Sequence, residues 1–182
     1  NGQTGAAIIF FGSAAGLSLT PDWYKSGTGV DLFGSAVDCA GDVNDDGFDD
    51  VIIGEWLVGN GTGKVYVHFG SPSGITNSPN WVAHGTQNWE DFGISVAGAG
   101  DIDADGFSDI LVGAPHYINN NADTGRVYIF YGSPSGPQTS GRQVLTCDNY
   151  TAHFGNAVSS AGDINGDGCS DIVIGAEEYS NG

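Results

Sequence analysis

The sequence predicts an all-β fold of repeated four-stranded antiparallel blades, and three observations predict it. First, one 22-residue phrase recurs: FGSAVDCAGDVNDDGFDDVIIG from Phe33 to Gly54, FGISVAGAGDIDADGFSDILVG from Phe92 to Gly113, and FGNAVSSAGDINGDGCSDIVIG from Phe154 to Gly175. Second, another block alternates with it, reading TGAAIIFFGSAAGL from Thr4, TGKVYVHFGSPSGI from Thr62 and TGRVYIFYGSPSGP from Thr124, so that Gly5, Gly63 and Gly125 recur at 58 and 62 residues. Third, the segments between are short β-branched runs and Gly-rich turns, and no ten-residue stretch carries a helical stripe. A period of this size with β-type content means propeller blades or a related array.

Each period supplies four strands. The first follows the Phe-Gly pair, as in Gly93 to Gly98. The second is a continuous apolar run, Val51-Ile52-Ile53, Ile110-Leu111-Val112 or Ile172-Val173-Ile174, of the kind buried on both faces. The third is the run Val65 to Phe69, matched by Val127 to Tyr131 and by Ala7 to Phe11. The fourth is weaker and holds Trp23, Trp81 or Val144. Gly-Ser-Pro-Ser-Gly at Gly70 to Gly74 and Gly132 to Gly136 suits hairpin loops. The 4 Trp and 9 Phe are expected to fill the space between blades. The repeat units are approximately 1–62, 63–124 and 125–182. The phase begins at a third strand and stops after a second, which gives two whole blades with a half-blade at each end. Three blade equivalents are too few to close a ring of four to eight, and open strand edges demand a partner. The expectation is therefore part of a larger or assembled propeller or array.

Inside each 22-residue phrase sits an acidic loop, D-x-[DN]-x-D-G-x-x-D, beginning nine residues after the Phe. Alternate positions 1, 3 and 5 of a tight loop point their oxygens at one spot, a Gly at position 6 permits the reversal, the carbonyl of position 7 adds a backbone oxygen, and position 9 closes the cage. The first loop offers Asp42, Asn44, Asp46, the Phe48 carbonyl and Asp50. The second offers Asp101, Asp103, Asp105, the Phe107 carbonyl and Asp109. The third offers Asp163, Asn165, Asp167, the Cys169 carbonyl and Asp171. Five hard oxygen donors on a flexible loop suit Ca2+ over Zn2+ or Mg2+, so three Ca2+ sites are expected, with a structural role. The second loop has four carboxylates against three plus an Asn in the others, and should bind most tightly. An EF-hand would need Glu at position 12 and flanking helices, whereas these loops carry Ile53, Val112 and Ile174 there.

The chain has 182 residues, 22 Asp plus Glu against 4 Lys plus Arg, and a net charge of −18. That charge argues against nucleic acid and anionic membranes as partners. No apolar run reaches the length of a membrane span, and no signal peptide is visible. The odd set Cys39, Cys147 and Cys169 matches neither a CxxC metal pattern nor a disulfide scaffold. Asn60-Gly-Thr and Asn149-Tyr-Thr are N-glycosylation sequons, a weak pointer to secretion. The four histidines show no metal-ligand spacing; His68 lies in a strand run and His84, His116 and His153 in loops or near turns. No nucleophile elbow, P-loop, dinucleotide fingerprint or RGD triplet is present.

The Phe-Gly pairs, the acidic loops and the Gly54-Glu55, Gly113-Ala114-Pro115 and Gly175-Ala176-Glu177 steps that follow resemble the FG-GAP repeat of the integrin α-subunit β-propeller. Ala114-Pro115 completes the signature; the first and third copies depart from it. The resemblance implies four-stranded blades around an axis, with Ca2+ in the hairpin loop between a blade's first two strands, held by the residues named above. Such propellers normally have seven blades, and the family also includes fungal lectins and bacterial surface proteins. The leading expectation is a non-enzymatic, extracellular or cell-surface calcium-binding module for adhesion, protein interaction or assembly. Its partner would be another protein or neighbouring copies docked head to tail. The alternatives are a lectin-like, carbohydrate-binding propeller, using aromatics such as Trp56 and Trp89, and an accessory propeller of a larger secreted enzyme.

Overall fold

The computed structural model describes residues 4–120, 122–149 and 151–180. In chain order the strands are β1 (Ala6–Ile9), the small hairpin β2 (Gly12–Ser13) and β3 (Gly16–Leu17), β4 (Trp23–Ser26), β5 (Ala36–Gly41), β6 (Asp50–Glu55), β7 (Lys64–His68) and β8 (Trp81–His84). They continue with β9 (Ser95–Gly100), β10 (Asp109–Ala114), the small hairpin β11 (Ile118–Asn119) and β12 (Ala122–Asp123), β13 (Arg126–Phe130), β14 (Gln143–Thr146), β15 (Phe154–Gly162) and β16 (Asp171–Ala176). Two four-stranded antiparallel sheets, β5-β6-β7-β8 and β9-β10-β13-β14, stand between the two-stranded sheets β1-β4 and β15-β16. These are two whole blades and two halves, each strand pairing antiparallel with its neighbour. The one helical turn among the described residues, Val58–Gly61, breaks at Gly59 and Asn60, whose φ of 65° and 60° are left-handed. No described helix is long and apolar enough to cross a membrane.

The apolar second strands explain how the blades stack. Successive side chains of a strand point to opposite faces. Ile52 packs into the core between the two whole blades, beside Val65, Val67, Phe92, Ile110, Val112, Tyr128 and Phe130. Its neighbour Ile53 faces the other way, against Ala7, Trp23 and Phe33 of the first half-blade. Ile110 and Leu111 divide in the same manner, Leu111 meeting Val127, Ile129, Val158 and Ile172. Burying each such side chain is worth about 1.5–3 kcal/mol, so a run apolar at every position is what a strand between two interfaces requires.

The two repeated glycine motifs interlock from blade to blade. Gly63, at φ +78°, lies so close to the next blade that a Cβ would sit 2.0 Å from the Phe92 carbonyl oxygen; Gly125, at φ +77°, meets the Phe154 carbonyl at 2.3 Å in the same way. Parallel bridges Gly5–Phe33 and Gly125–Phe154 fix this contact. It lets the Phe ring enter the core, where Phe33 and Phe92 meet the edges of Tyr66 and Tyr128 at 5.5 and 5.2 Å.

The Tyr hydroxyls also account for the first copy's departure from Gly-Ala-Pro. Tyr66 donates to buried Glu55, which occupies the Ala place. In the second copy that place is Ala114, and Tyr128 donates instead to the buried Glu90 carboxylate at 3.0 Å.

Not every aromatic fills a blade interface. Trp89 is 63% exposed, and Phe10, Phe11 and Phe48 reach the surface. Phe11 still covers the Gly74 turn of the next blade, as Phe69 covers Gly136. His84 closes β8 just before the bend at Thr86, while His68 is buried with Nδ1 2.9 Å from the Thr76 carbonyl.

Candidate metal centre

The three acidic loops join β5 to β6, β9 to β10 and β15 to β16, so they share one end of the blades. Their hydrogen bonds are nearly superimposable. Position 1 gathers the turn: Asp42 accepts the N–H of Asp46 (3.0 Å) and Gly47 (2.8 Å), Asp101 those of Asp105 (3.1 Å) and Gly106 (2.9 Å), and Asp163 those of Asp167 (3.1 Å) and Gly168 (2.9 Å). Position 5 fixes position 7, since Asp46, Asp105 and Asp167 accept the N–H of Phe48, Phe107 and Cys169 at 2.9–3.1 Å. Asn44 and Asn165 each accept the N–H of position 5. Gly47, Gly106 and Gly168 take φ of 91°, 96° and 93°, as position 6 demands.

Position 9 is a latch as well as a candidate ligand. Asp50 is buried and accepts Val43 N–H with Oδ2 (3.0 Å) and Gly70 N–H with Oδ1 (2.8 Å). Asp109 is buried and accepts Ile102 and Gly132 N–H, both at 2.8 Å. Asp171 accepts Ile164 N–H at 2.8 Å; among the described residues no third strand brings a counterpart of Gly70 or Gly132 to its other oxygen. Each carboxylate oxygen has two lone pairs, so a latch bond leaves room for a cation on the same atom.

The electrostatics favour a positive guest. Burial pushes the carboxyls of Asp50 and Asp109 up to about 6, against the opposing pull of their backbone N–H partners. Asp103 is raised by desolvation and by repulsion from Asp105 and Asp101. Asp163, in the open third loop, is lowered by the N–H groups of Gly168, Gly166 and Asp167. Carboxylate oxygens of Asp101, Asp103 and Asp109 converge to within 4.8 Å of one another. Converging carboxylates, with Asp103 and Asp109 raised by burial and by their acidic neighbours, suit a divalent cation held by oxygens.

Three features of these loops escape sequence reasoning. Position 4 is also left-handed, with φ of 56° at Asp45, 61° at Ala104 and 76° at Gly166. The second latch partner lies 20 or 23 residues away, at Gly70 and Gly132. The loops also dock on one another: the Asp42 carbonyl accepts Ser108 N–H at 2.9 Å, the Val43 carbonyl accepts Ser133 N–H at 3.1 Å, and the Asp101 carbonyl accepts Ser170 N–H at 2.8 Å.

The FG-GAP repeat family matches residues 92–130 and 154–182. Integrin alpha-5 of Xenopus laevis is 35% identical over 156 residues, covering 79% of this chain and 14% of the relative. Integrin alpha-4 of Xenopus laevis is 32% identical over 180 residues, covering 96% of this chain and 17% of the relative. Integrin alpha pat-2 of Caenorhabditis briggsae is 34% identical over 160 residues, covering 77% of this chain and 13% of the relative. The chain thus spans between an eighth and a fifth of the length of these relatives. Blades, acidic loops and matched repeats agree: the chain carries FG-GAP repeats and belongs with the integrin α-subunit-like β-propellers.

Proposed function

We propose that this chain is a non-enzymatic, extracellular propeller module for adhesion, protein interaction or surface assembly, in which Ca2+ bound by three loops rigidifies the hairpin between the first two strands of each blade. The observation that carries it is the common frame of the loops, in which the same backbone donors hold the same carboxylates in all three copies. Chelation, treated below, tests it. The sites should also rank by charge. Asp105→Ala removes a charged group from the most acidic loop and is expected to cost more Ca2+ affinity than Asn44→Ala, as measured by calorimetric titration. Equal or reversed losses would mean that loop geometry sets affinity instead.

The partner reading rests on exposed strand edges. In the whole blades the second strand pairs with the third, β6 with β7 and β10 with β13. β1 and β16 each leave that edge unpaired among the described residues. An apolar groove of about 470 Å3 runs beside β1, lined by Ala7, Ile9, Trp23, Val37, Cys39 and Ile53. Val37 is 57% exposed there, and Val173 on β16 is 55% exposed. A first-and-second strand pair of this repeat would cover the groove and pair with the open edge of β1, supplied either by more of the same polypeptide or by a neighbouring copy docked head to tail. Head-to-tail contacts give rings when they close and filaments when they do not. Light scattering of the 182-residue chain in Ca2+ is expected to show assemblies; a monomer with a sharp, native-like melt would refute the need for completion.

Secretion would expose the sequons to glycosylation. Asn60 is exposed on its turn, whereas Asn149 Nδ2 donates to the Ser180 carbonyl at 2.6 Å, and Tyr150 of that sequon lies outside the described residues. Asn60 is the better acceptor of the two. The exposed Trp89 ring favours glycan binding as the second reading; a glycan array signal abolished by Trp89→Ala would support it.

A further inference from the structure

A second constellation of metal-ligating side chains lies at the end of the blades away from the acidic loops. Those loops join first strands to second strands. His116 follows β10 and Asp123 ends β12, both in the connection from a second strand to a third, while His153 immediately precedes Phe154, in the connection from a fourth strand to the next first strand. In an antiparallel blade these two kinds of connection share the opposite end.

The side chains converge across the blade boundary. His116 Nδ1 lies 3.2 Å from Asp123 Oδ2, and His153 Nε2 lies 3.9 Å from the same oxygen. The three donor atoms fall within 4.8 Å of one another. The imidazole rings meet edge to face with centroids 4.6 Å apart. The other nitrogen of each ring has a carboxylate behind it: Asp91 Oδ2 at 3.7 Å from His116 Nε2, and Glu177 Oε1 at 3.7 Å from His153 Nδ1. Asp123 Oδ1 is shielded from solvent and accepts no hydrogen bond from a described residue.

We infer that His116, His153 and Asp123 form a site for a first-row transition ion of the Zn2+ type, linking the second whole blade to the half-blade after it. Two imidazole nitrogens and a carboxylate suit Zn2+, Cu2+ or Ni2+, whereas Ca2+ takes oxygen ligands. Tetrahedral bonds of about 2.0–2.1 Å place neighbouring ligand atoms about 3.3 Å apart, close to the spacing of His116 and Asp123. In metal sites a carboxylate that accepts the other N–H of a ligating imidazole fixes its tautomer and orientation; Asp91 and Glu177 stand behind these rings at 3.7 Å, beyond direct hydrogen-bond length, and would take that part on closing the gap.

Zinc titration of the chain in saturating Ca2+, with Co2+ absorption as the structural reporter, tests the site. The expected result is one tight Zn2+ per chain, an intense tetrahedral Co2+ spectrum, and binding that weakens in acid as protons compete for the ligand atoms. His116→Gln and His153→Asn should each lose at least tenfold in affinity, and the exposed His84→Gln should not. His153 has φ +49°, a conformation that Asn tolerates, so the second variant should keep its backbone; circular dichroism checks that it does. A weak octahedral Co2+ spectrum in the parent chain, or Zn2+ binding that survives both substitutions, would overturn the inference. The readout does not depend on the acidic loops, so failure of the Ca2+ reading leaves this test intact.

Discussion

Thermal melts in millimolar Ca2+ and in chelator are expected to differ by about 10 °C or more, since a ligand at a hundredfold excess over its dissociation constant adds about 2.7 kcal/mol per site and a domain of this size shifts about 2–4 °C per kcal/mol. The two fully latched loops dominate that difference. Burial raises Asp50 and Asp109 from an ordinary 3.8 to about 6, and this also fixes the pH dependence. A carboxyl raised on folding binds its proton more tightly in the folded chain than in the unfolded one. In chelator its contribution to stability is therefore fully present below about 4 and lost as pH rises through about 6. Calcium reverses the trend by stabilising the anions. The chelated chain should melt higher at pH 5 than at pH 7, and the Ca2+-loaded chain higher at pH 7. A midpoint unmoved by chelation would sink the calcium reading.

Asp109→Ala is the second large effect, and it should appear in chelator as well as in Ca2+. The substitution strands the N–H groups of Ile102 and Gly132, at about 1–3 kcal/mol for each buried donor left unpaired. A loss of about 2–5 kcal/mol in denaturant titration follows. Asp171→Ala removes a single latch bond on a more open half-blade and should cost far less in chelator. Equal costs for the two variants would show that the latch contributes nothing apart from the cation.

The blades were legible because their signals are local and repeated. Continuous runs such as Ile52-Ile53 and Ile110-Leu111-Val112 mark strands buried on both faces, and all six strand positions of the second and third type fell within a residue or two of their expected places. The turn frame of each acidic loop was legible for the same reason, since it closes within nine residues. What was not legible is contact across distance. The second latch partners lie on the far side of a neighbouring strand, and no local preference marks Ala104 as left-handed. His116 and His153 stand 37 positions apart and meet because the boundary between blades folds them together. Composition places Trp89 among the blade-filling aromatics while the carbohydrate-binding alternative needs it exposed; it is exposed, on a left-handed backbone with φ +63°.

The carbonyl-to-amide links from Asp42 to Ser108 and from Asp101 to Ser170 join the three loops into a short one-dimensional lattice. On the proposed Ca2+ reading, an ion that orders one loop would also order the neighbour's docking strand, so that nearest neighbours would share part of the entropy of ordering. Occupancy would then propagate instead of filling three independent sites. The middle loop has two neighbours and each outer loop has one. Disabling the middle loop should therefore flatten the Ca2+ isotherm of the outer pair, whereas disabling an outer loop should leave the remaining two coupled.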